Sequence, residues 1–298
     1  MRQAIAARLI ETLAGTLSPQ RTYSAAAALS ILFLRGKTNR LQADMRRLFP
    51  DKPDAWVNDA VRRQRHHRAW VAVDKHRLTR MTGAQIVEMH ERESVERVSR
   101  LADEAFAGGK GVIVYTLHYG RPSWSPVLFA ELGYPYVGLL RGESNTGLQQ
   151  KHSDASRATG AQLVEAGDLT SGVQALRGLK ENKALFVVID GRLTQRPTMV
   201  EFLGVKVPFS LGFAQLAQRT GARLLAGVTR TGDDPTKLRI DSQLVELPDT
   251  SLPPEELGRL LVAPLEQMVE RDIGQWYGIN RLFRQAGRLE RQRENGES

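Results

Sequence analysis

The sequence predicts an α/β protein: a mainly parallel central sheet flanked by helices, behind a helical N-terminal region. Two observations carry this. Apolar residues recur at helical spacing in Ala4 to Leu17 and in Ile86 to Phe106, and Gly and Pro are sparse before residue 107. From Gly108-Gly109-Lys110-Gly111 onward, short β-branched apolar runs alternate with helical segments instead, which is the pattern of βαβ units.

The elements follow in chain order. Val112 to Leu117 (VIVYTL) reads as a buried strand. Later runs of the same kind are Tyr136 to Leu140, Ala184 to Ile189 and Arg223 to Val228, with a further strand over Leu238 to Leu247. Helices are expected over Trp124 to Leu132, Leu169 to Lys180 and Leu211 to Arg219. Pro254 opens another, reaching about Asp272, with Glu255 and Glu256 in its first turn where carboxylates suit the helix dipole. The polar tail from Arg288 to Ser298 is expected to fray. No linker rich in Pro, Gly or Ser interrupts the chain. One domain is therefore expected over residues 1–298, with a helical region at 1–107, an α/β core at 108–284 and the tail at 288–298.

Composition narrows the function classes. The 42 Lys and Arg against 33 Asp and Glu give a net charge of +9, which favours anionic partners. With no cysteine, disulfides, thiolate metal sites and cysteine nucleophiles are excluded. The adjacent His66-His67 pair lacks the i, i+4 spacing of a helical metal site, and the chain has neither a GxxxxGK[ST] loop nor a GxGxxG after a strand. No metal or cofactor is expected, and no nucleic-acid partner. The most apolar early stretch, Ala25 to Leu34, falls far short of the roughly 20 residues that span a bilayer, so no transmembrane helix is expected. Arg2, Arg8 and Arg21 beside Ile5, Leu9, Ile10 and Leu13 describe an amphipathic helix, docked on the domain or lying on a membrane surface. The basic stretch Val61 to Arg80 reads as a solvated helix face, or as a contact surface for phosphate-bearing lipid or an acidic carrier.

Chemistry gathers around His118, which directly follows the first strand. Ligands and catalytic groups collect at the carboxyl ends of strands in open α/β sheets, and histidine suits proton transfer near neutral pH.

Five strings in order extend the pattern: NRLQADMRRLFP (Asn39 to Pro50), LHYGRPSW with His118, FVVID ending in Asp190, FLGVKVPFSLGFAQLAQRTGARLL, and QWYGINRLFR (Gln275 to Arg284). RGESN (Arg141 to Asn145) and Arg157 fall between the second and third. As a set, over residues 39 to 284, they resemble the bacterial lipid A biosynthesis (lysophospholipid) acyltransferase family. The resemblance implies transfer of a fatty-acyl group from an acyl-carrier-protein or acyl-CoA thioester to a hydroxyl or amine of a lipid or small-molecule acceptor. His118 would then be the general base. It also implies a cytoplasmic location and leaves open peripheral contact with the inner face of the cytoplasmic membrane.

The family follows its histidine, after four residues, with Asp or Glu; here that position holds Ser123. A serine can fix the imidazole tautomer by accepting a hydrogen bond but supplies no negative charge. Three readings follow. Another carboxylate substitutes, with Asp190, Glu143, Asp154 and Glu201 as candidates and Asp190 preferred because it ends a neighbouring strand. Alternatively His118 works without a carboxylate, or the chain only binds an acyl chain or acyl-carrier protein without turnover. Ser123 as a nucleophile lacks the GxSxG elbow. Arg121, Arg141, Arg157 and Arg192 lie near strand ends and are candidates for binding phosphate or carboxylate. Trp124, Phe129, Phe209 and Phe213 are candidates for an apolar groove, and equally for core. Trp276, Tyr277 and Phe283 read as packing.

Overall fold

The structure, a computed structural model, describes residues 12, 16–33, 38–140, 162–165, 169–191, 197–232 and 234–294. Among the described residues five α-helices lead: α1 (Pro19–Phe33), α2 (Thr38–Leu48), α3 (Asp54–Arg77), α4 (Gly83–Glu88) and α5 (Arg92–Phe106). The α/β part runs β1 (Val112–Thr116), α6 (Trp124–Glu131), β2 (Tyr136–Leu140), β3 (Gln162–Glu165), α7 (Leu169–Lys180), β4 (Ala184–Val188), β5 (Thr198–Phe202), β6 (Val205–Phe209), α8 (Gly212–Thr220), β7 (Arg223–Thr231) and β8 (Leu238–Val245). Helix α9 (Pro254–Glu270), a 3-10 turn (Ile273–Gln275) and α10 (Ile279–Glu294) close the chain.

Six strands form one sheet in the order β3-β2-β4-β1-β7-β8. All neighbours are parallel except β7 and β8. Strand β1 is central and buried along its whole length, as expected of an apolar β-branched run covered on both faces. Its side chains alternate between two cores. Ile113 and Tyr115 join the cluster built with α8, α9 and α10, whereas Val112 and Val114 join Val98, Ala102, Leu128 and Phe129 from α5 and α6. No helix among the described residues is long and apolar enough to cross a membrane.

Several elements differ from the sequence expectation. The periodic stretch Ile86 to Phe106 is two helices rather than one. Between them, after the helical C-cap Met89, the chain bridges to β8 at His90: Leu238 N–H donates to Met89 O at 2.8 Å and Glu91 N–H to Leu238 O at 2.8 Å. A sheet edge thus wins these backbone groups from the helix. The antiparallel hairpin β5–β6 was not anticipated. Its tight turn places Leu203 at φ 53° and Gly204 at φ 75°, the left-handed pair of a type I′ hairpin, usually signalled by Asn-Gly. Leu203 holds the first position because its N–H donates to Glu266 Oε1 of α9 at 2.5 Å. The C-terminal tail is helical as far as Glu294, where fraying from Arg288 was expected.

The basic stretch Val61 to Arg80 is a solvated face only in part, with Arg62, Lys75 and Arg80 exposed. Gln64, Arg65, His67, Asp74 and His76 are buried within it, because α3 packs against α1, α2 and the 273–275 turn. The proposed amphipathic helix over Ala4 to Leu17 lies largely outside the described residues.

Candidate active site

The register of the central sheet creates the site. Strands β1 and β4 pair in parallel from Val112↔Ala184 to Thr116↔Val188. Two residues past each strand end, the same offset brings His118 and Asp190 side by side. Asp190 Oδ1 lies 2.8 Å from the His118 backbone nitrogen and 2.7 Å from its Nδ1. One carboxylate oxygen therefore accepts from both the backbone and the ring of the same residue. That pair fixes the ring orientation and puts the imidazole proton on Nδ1, leaving Nε2 with its lone pair.

Asp190 is fully buried, while the His118 side chain keeps 24% of its exposure. Burial pushes the Asp190 carboxyl up. The His118 charge and the hydrogen bonds from His118 and Trp276 outweigh it and hold the group below its ordinary value. The dyad is a buried anion facing a half-open imidazole.

The segment Gln275–Gly278 clamps this arrangement from the far end of the chain. Gln275 bridges to β7, its Oε1 accepting from Thr231 N–H at 2.9 Å and its Nε2 donating to Thr231 O at 2.7 Å. Its carbonyl accepts from Gly120 N–H at 2.9 Å. The Trp276 indole N–H donates to Asp190 Oδ2 at 3.0 Å. Tyr277 N–H donates to His118 O at 3.0 Å, and the Tyr277 ring meets the imidazole edge-on at 5.7 Å. A side chain at position 278 would place its Cβ 1.8 Å from Asp190 Oδ2, so only glycine permits this approach. Gly120 is equally constrained: at φ 55° a Cβ would lie 2.1 Å from Thr229 O. The chain needs that conformation to turn from His118 back onto β7.

The sequence candidates separate sharply. His118 and Asp190 are together. Ser123 stands at the start of α6, and among the described contacts no hydrogen bond joins it to His118. Glu201 is on the exposed face of β5. Arg121 is not at an opening: it is fully buried and ligated on every side. Its Nε and Nη2 donate to both oxygens of Asp74, Nη2 also to Tyr23 OH at 2.5 Å, and Nη1 to Pro235 O at 2.9 Å. The cation expected to bind a substrate anion is consumed by a protein carboxylate. Trp124, Phe129, Phe209 and Phe213 are all core, not groove. Arg141, Arg157, Arg192, Glu143 and Asp154 lie outside the described residues.

Two participants were missed. Trp276, read mainly as packing, also holds the carboxylate. Arg281 of α10 places its Nη1 3.4 Å from His118 Nε2, on the side away from Asp190. Both come from QWYGINRLFR, a string that carried the family resemblance but offered no local clue to its partners.

Among curated proteins, comparison finds no match to this chain. The family model described as bacterial lipid A biosynthesis acyltransferase matches residues 9–285. The chain, matched over nearly its whole length, belongs to the bacterial lipid A biosynthesis acyltransferase family.

Proposed function

We propose that this protein transfers a fatty-acyl group from an acyl-carrier-protein or acyl-CoA thioester to a hydroxyl or amine of a lipid or small-molecule acceptor, with His118 as general base and Asp190 as its orienting carboxylate. Family membership supports acyl transfer to lipid at the coarser level. The observation that carries the finer reading is the 2.7 Å contact between His118 Nδ1 and Asp190 Oδ1, which supplies the negative charge that Ser123 cannot.

The chemistry follows from the lone pair on Nε2. The acceptor O–H or N–H gives its proton to Nε2 as its heteroatom attacks the thioester carbonyl. Asp190 stabilises the resulting imidazolium across Nδ1, as the third member of a serine-protease triad does. The tetrahedral intermediate collapses by breaking the C–S bond, and the departing thiolate takes the proton back from Nε2. No acyl-enzyme is required. Ser123 stands aside in this scheme, and Arg121 contributes by holding the 118–124 turn in place. In this reading the reaction belongs to the cytoplasmic side, and the net charge of +9 supports contact with anionic headgroups at the inner face of the membrane.

The test is acyl transfer from a panel of acyl-carrier-protein and acyl-CoA donors to hydroxyl and amine acceptors, wild type beside His118→Ala. Turnover that disappears in the variant while donor binding persists is the expected result. Tight donor binding without turnover in the wild type would overturn it in favour of a non-catalytic acyl-binding protein.

A further inference from the structure

Arg281 occupies the nitrogen that the reaction needs. Its guanidinium Nη1 sits 3.4 Å from His118 Nε2, where it donates to the ring lone pair and covers the base. The imidazole can accept an acceptor's proton only once that guanidinium has moved. A cation moves for an anion.

The surroundings of Arg281 specify the anion. Arg68 of α3 and Arg281 of α10 are both half-buried. Burial lowers the pKa of Arg68; Tyr277 raises it, while Arg281 and Arg284 lower it further as neighbouring like charges. Among the described residues no carboxylate acts on Arg68, and no salt bridge takes up Arg68 or Arg281. Arg284 is more exposed and shares the field of Asp44 with Arg40 and Arg47, so it is the outermost of the three. Arg121, by contrast, shows what this protein does with a buried guanidinium it uses structurally: it saturates the group with Asp74, Tyr23 and a backbone carbonyl. Two partly buried guanidiniums close enough for each to feel the other's charge, with no counter-ion among the described residues, suit a group with several charged oxygens.

We propose that Arg68 and Arg281 form a phosphoryl-binding subsite beside His118, and that a phosphoryl group entering it draws Arg281 off Nε2 and so uncovers the base. A phosphate ester fits better than a carboxylate because it offers three oxygens to two forks and carries up to two charges. The group can belong to the donor, whose carrier arm is joined through phosphate, or to a phosphorylated acceptor. The subsite stands on the Arg281–His118 contact and on Arg68 lying near enough to Arg281 to feel its charge; that the group belongs to a reacting substrate rests on the acyl-transfer reading.

The experiment needs no turnover. The full-length protein is labelled at its six histidines with 15N and 13C, and the His118 ring signals are assigned by their loss in His118→Asn. Inorganic phosphate is added at millimolar concentration against potassium chloride of matched ionic strength, which removes the contribution of general screening. The expected result is a saturable shift of the His118 Nε2 resonance in wild type. Arg281→Ala shows the uncovered position without phosphate and no response to it. Arg68→Ala responds with affinity reduced roughly tenfold or more, the loss of one charge-assisted fork. The five other histidine signals report whether each variant is folded, and Arg281→Lys, which keeps the charge without the fork, replaces Arg281→Ala if it is not. Coenzyme A against N-acetylcysteamine, and glycerol 3-phosphate against glycerol, assign the phosphoryl group to donor or acceptor, and a response to either phosphate-bearing member supports the subsite. No shift with phosphate in wild type, or an equal response in the Arg281 and Arg68 variants, overturns it. A phosphate response without acyl transfer from any donor would sink the functional reading and leave the subsite standing.

Discussion

Three residues separate two buried carboxylate–base pairs that have opposite fates. His118–Asp190 and Arg121–Asp74 both set a fully buried aspartate against a nitrogen base, and both bases lie on the turn that follows β1. Around Asp74 every valence is spent. Tyr23 OH donates to Asp74 at 2.8 Å and accepts from Arg77 Nη1 at 2.9 Å, and Arg121 has no exposed atom through which to meet a ligand. Around Asp190 one valence stays open: Nδ1 is spent on the carboxylate, but Nε2 of the partly exposed ring has, among the described residues, only the 3.4 Å hydrogen bond with Arg281. Charge and burial alone do not mark a site. What marks it is a polarised group left incomplete. The sealed cluster ties α1 and α3 to the turn and so fixes the base that the open pair presents.

The sharpest way to break this comparison is to exchange each aspartate for its neutral isostere or remove its partner. Asp190→Asn keeps the shape of the side chain but removes the charge and permits the wrong imidazole tautomer. We expect kcat to fall by roughly 10³–10⁴ with KM little changed, measured at saturating donor. A fall of less than tenfold would place the stabilising charge elsewhere. The sealed pair should answer in the other currency. Arg121→Met leaves Asp74 buried without its cation and is expected to cost about 3–5 kcal/mol of stability, read from urea denaturation. The folded fraction should keep near-normal kcat, and a stable variant with lost turnover would show that Arg121 acts on substrate.

Much of the fold is legible in the sequence where an apolar run is bounded by clear breaks. Tyr136 to Leu140 and Leu169 to Lys180 are found at the expected residues. Legibility fails where tertiary pairing overrides local pattern. Residues Gln162–Glu165 make a four-residue edge strand too short to show a period. The Leu203–Gly204 turn depends on a glutamate from α9. His90 interrupts a helical period only because β8 offers it a strand edge. The site divides in the same way. His118 and Asp190 are readable as residues that end strands, whereas Trp276 and Arg281 reach them from 86 and 163 residues away. Arg121 was misjudged because residue type cannot reveal that Asp74 waits 47 positions upstream.

His90 provides a third contrast, a buried base with no carboxylate partner among the described residues. Its Nδ1 lies 2.9 Å from Ile86 O. Burial pushes its pKa from 6.5 down to about 4, against a smaller upward pull from the Ile86 carbonyl. The unfolded chain therefore takes up a proton that the native state refuses. Stability is complete above pH 6.5, falls as pH drops from 6.5 toward 4, and loses roughly 3 kcal/mol across that window from this group. His67, buried and also pushed down, adds a loss of the same sign. Asp190, held below its ordinary value, loses its contribution only at lower pH, as its own carboxyl protonates. Denaturation curves at stepped pH should show His90→Asn with a shallower acid slope than wild type; an unchanged slope would mean that His90 is protonated while folded.

The smallest effect concerns the brace on the open pair. Trp276→Phe preserves the aromatic packing against Phe202, whose ring centroid lies 5.2 Å away, and deletes only the indole donor to Asp190 Oδ2. That oxygen then has no described donor, so the carboxylate loses about 1–3 kcal/mol of stabilisation and its pKa rises. Part of the loss falls on the folded state and part on the imidazolium of the transition state. We expect kcat to drop roughly tenfold and the acid limb of its pH profile to move upward, with KM for the acceptor unchanged. Both shifts are needed. A lower kcat with an unmoved acid limb would mean that Trp276 acts by packing alone, and that the backbone and ring donors of His118 suffice to hold Asp190 ionised.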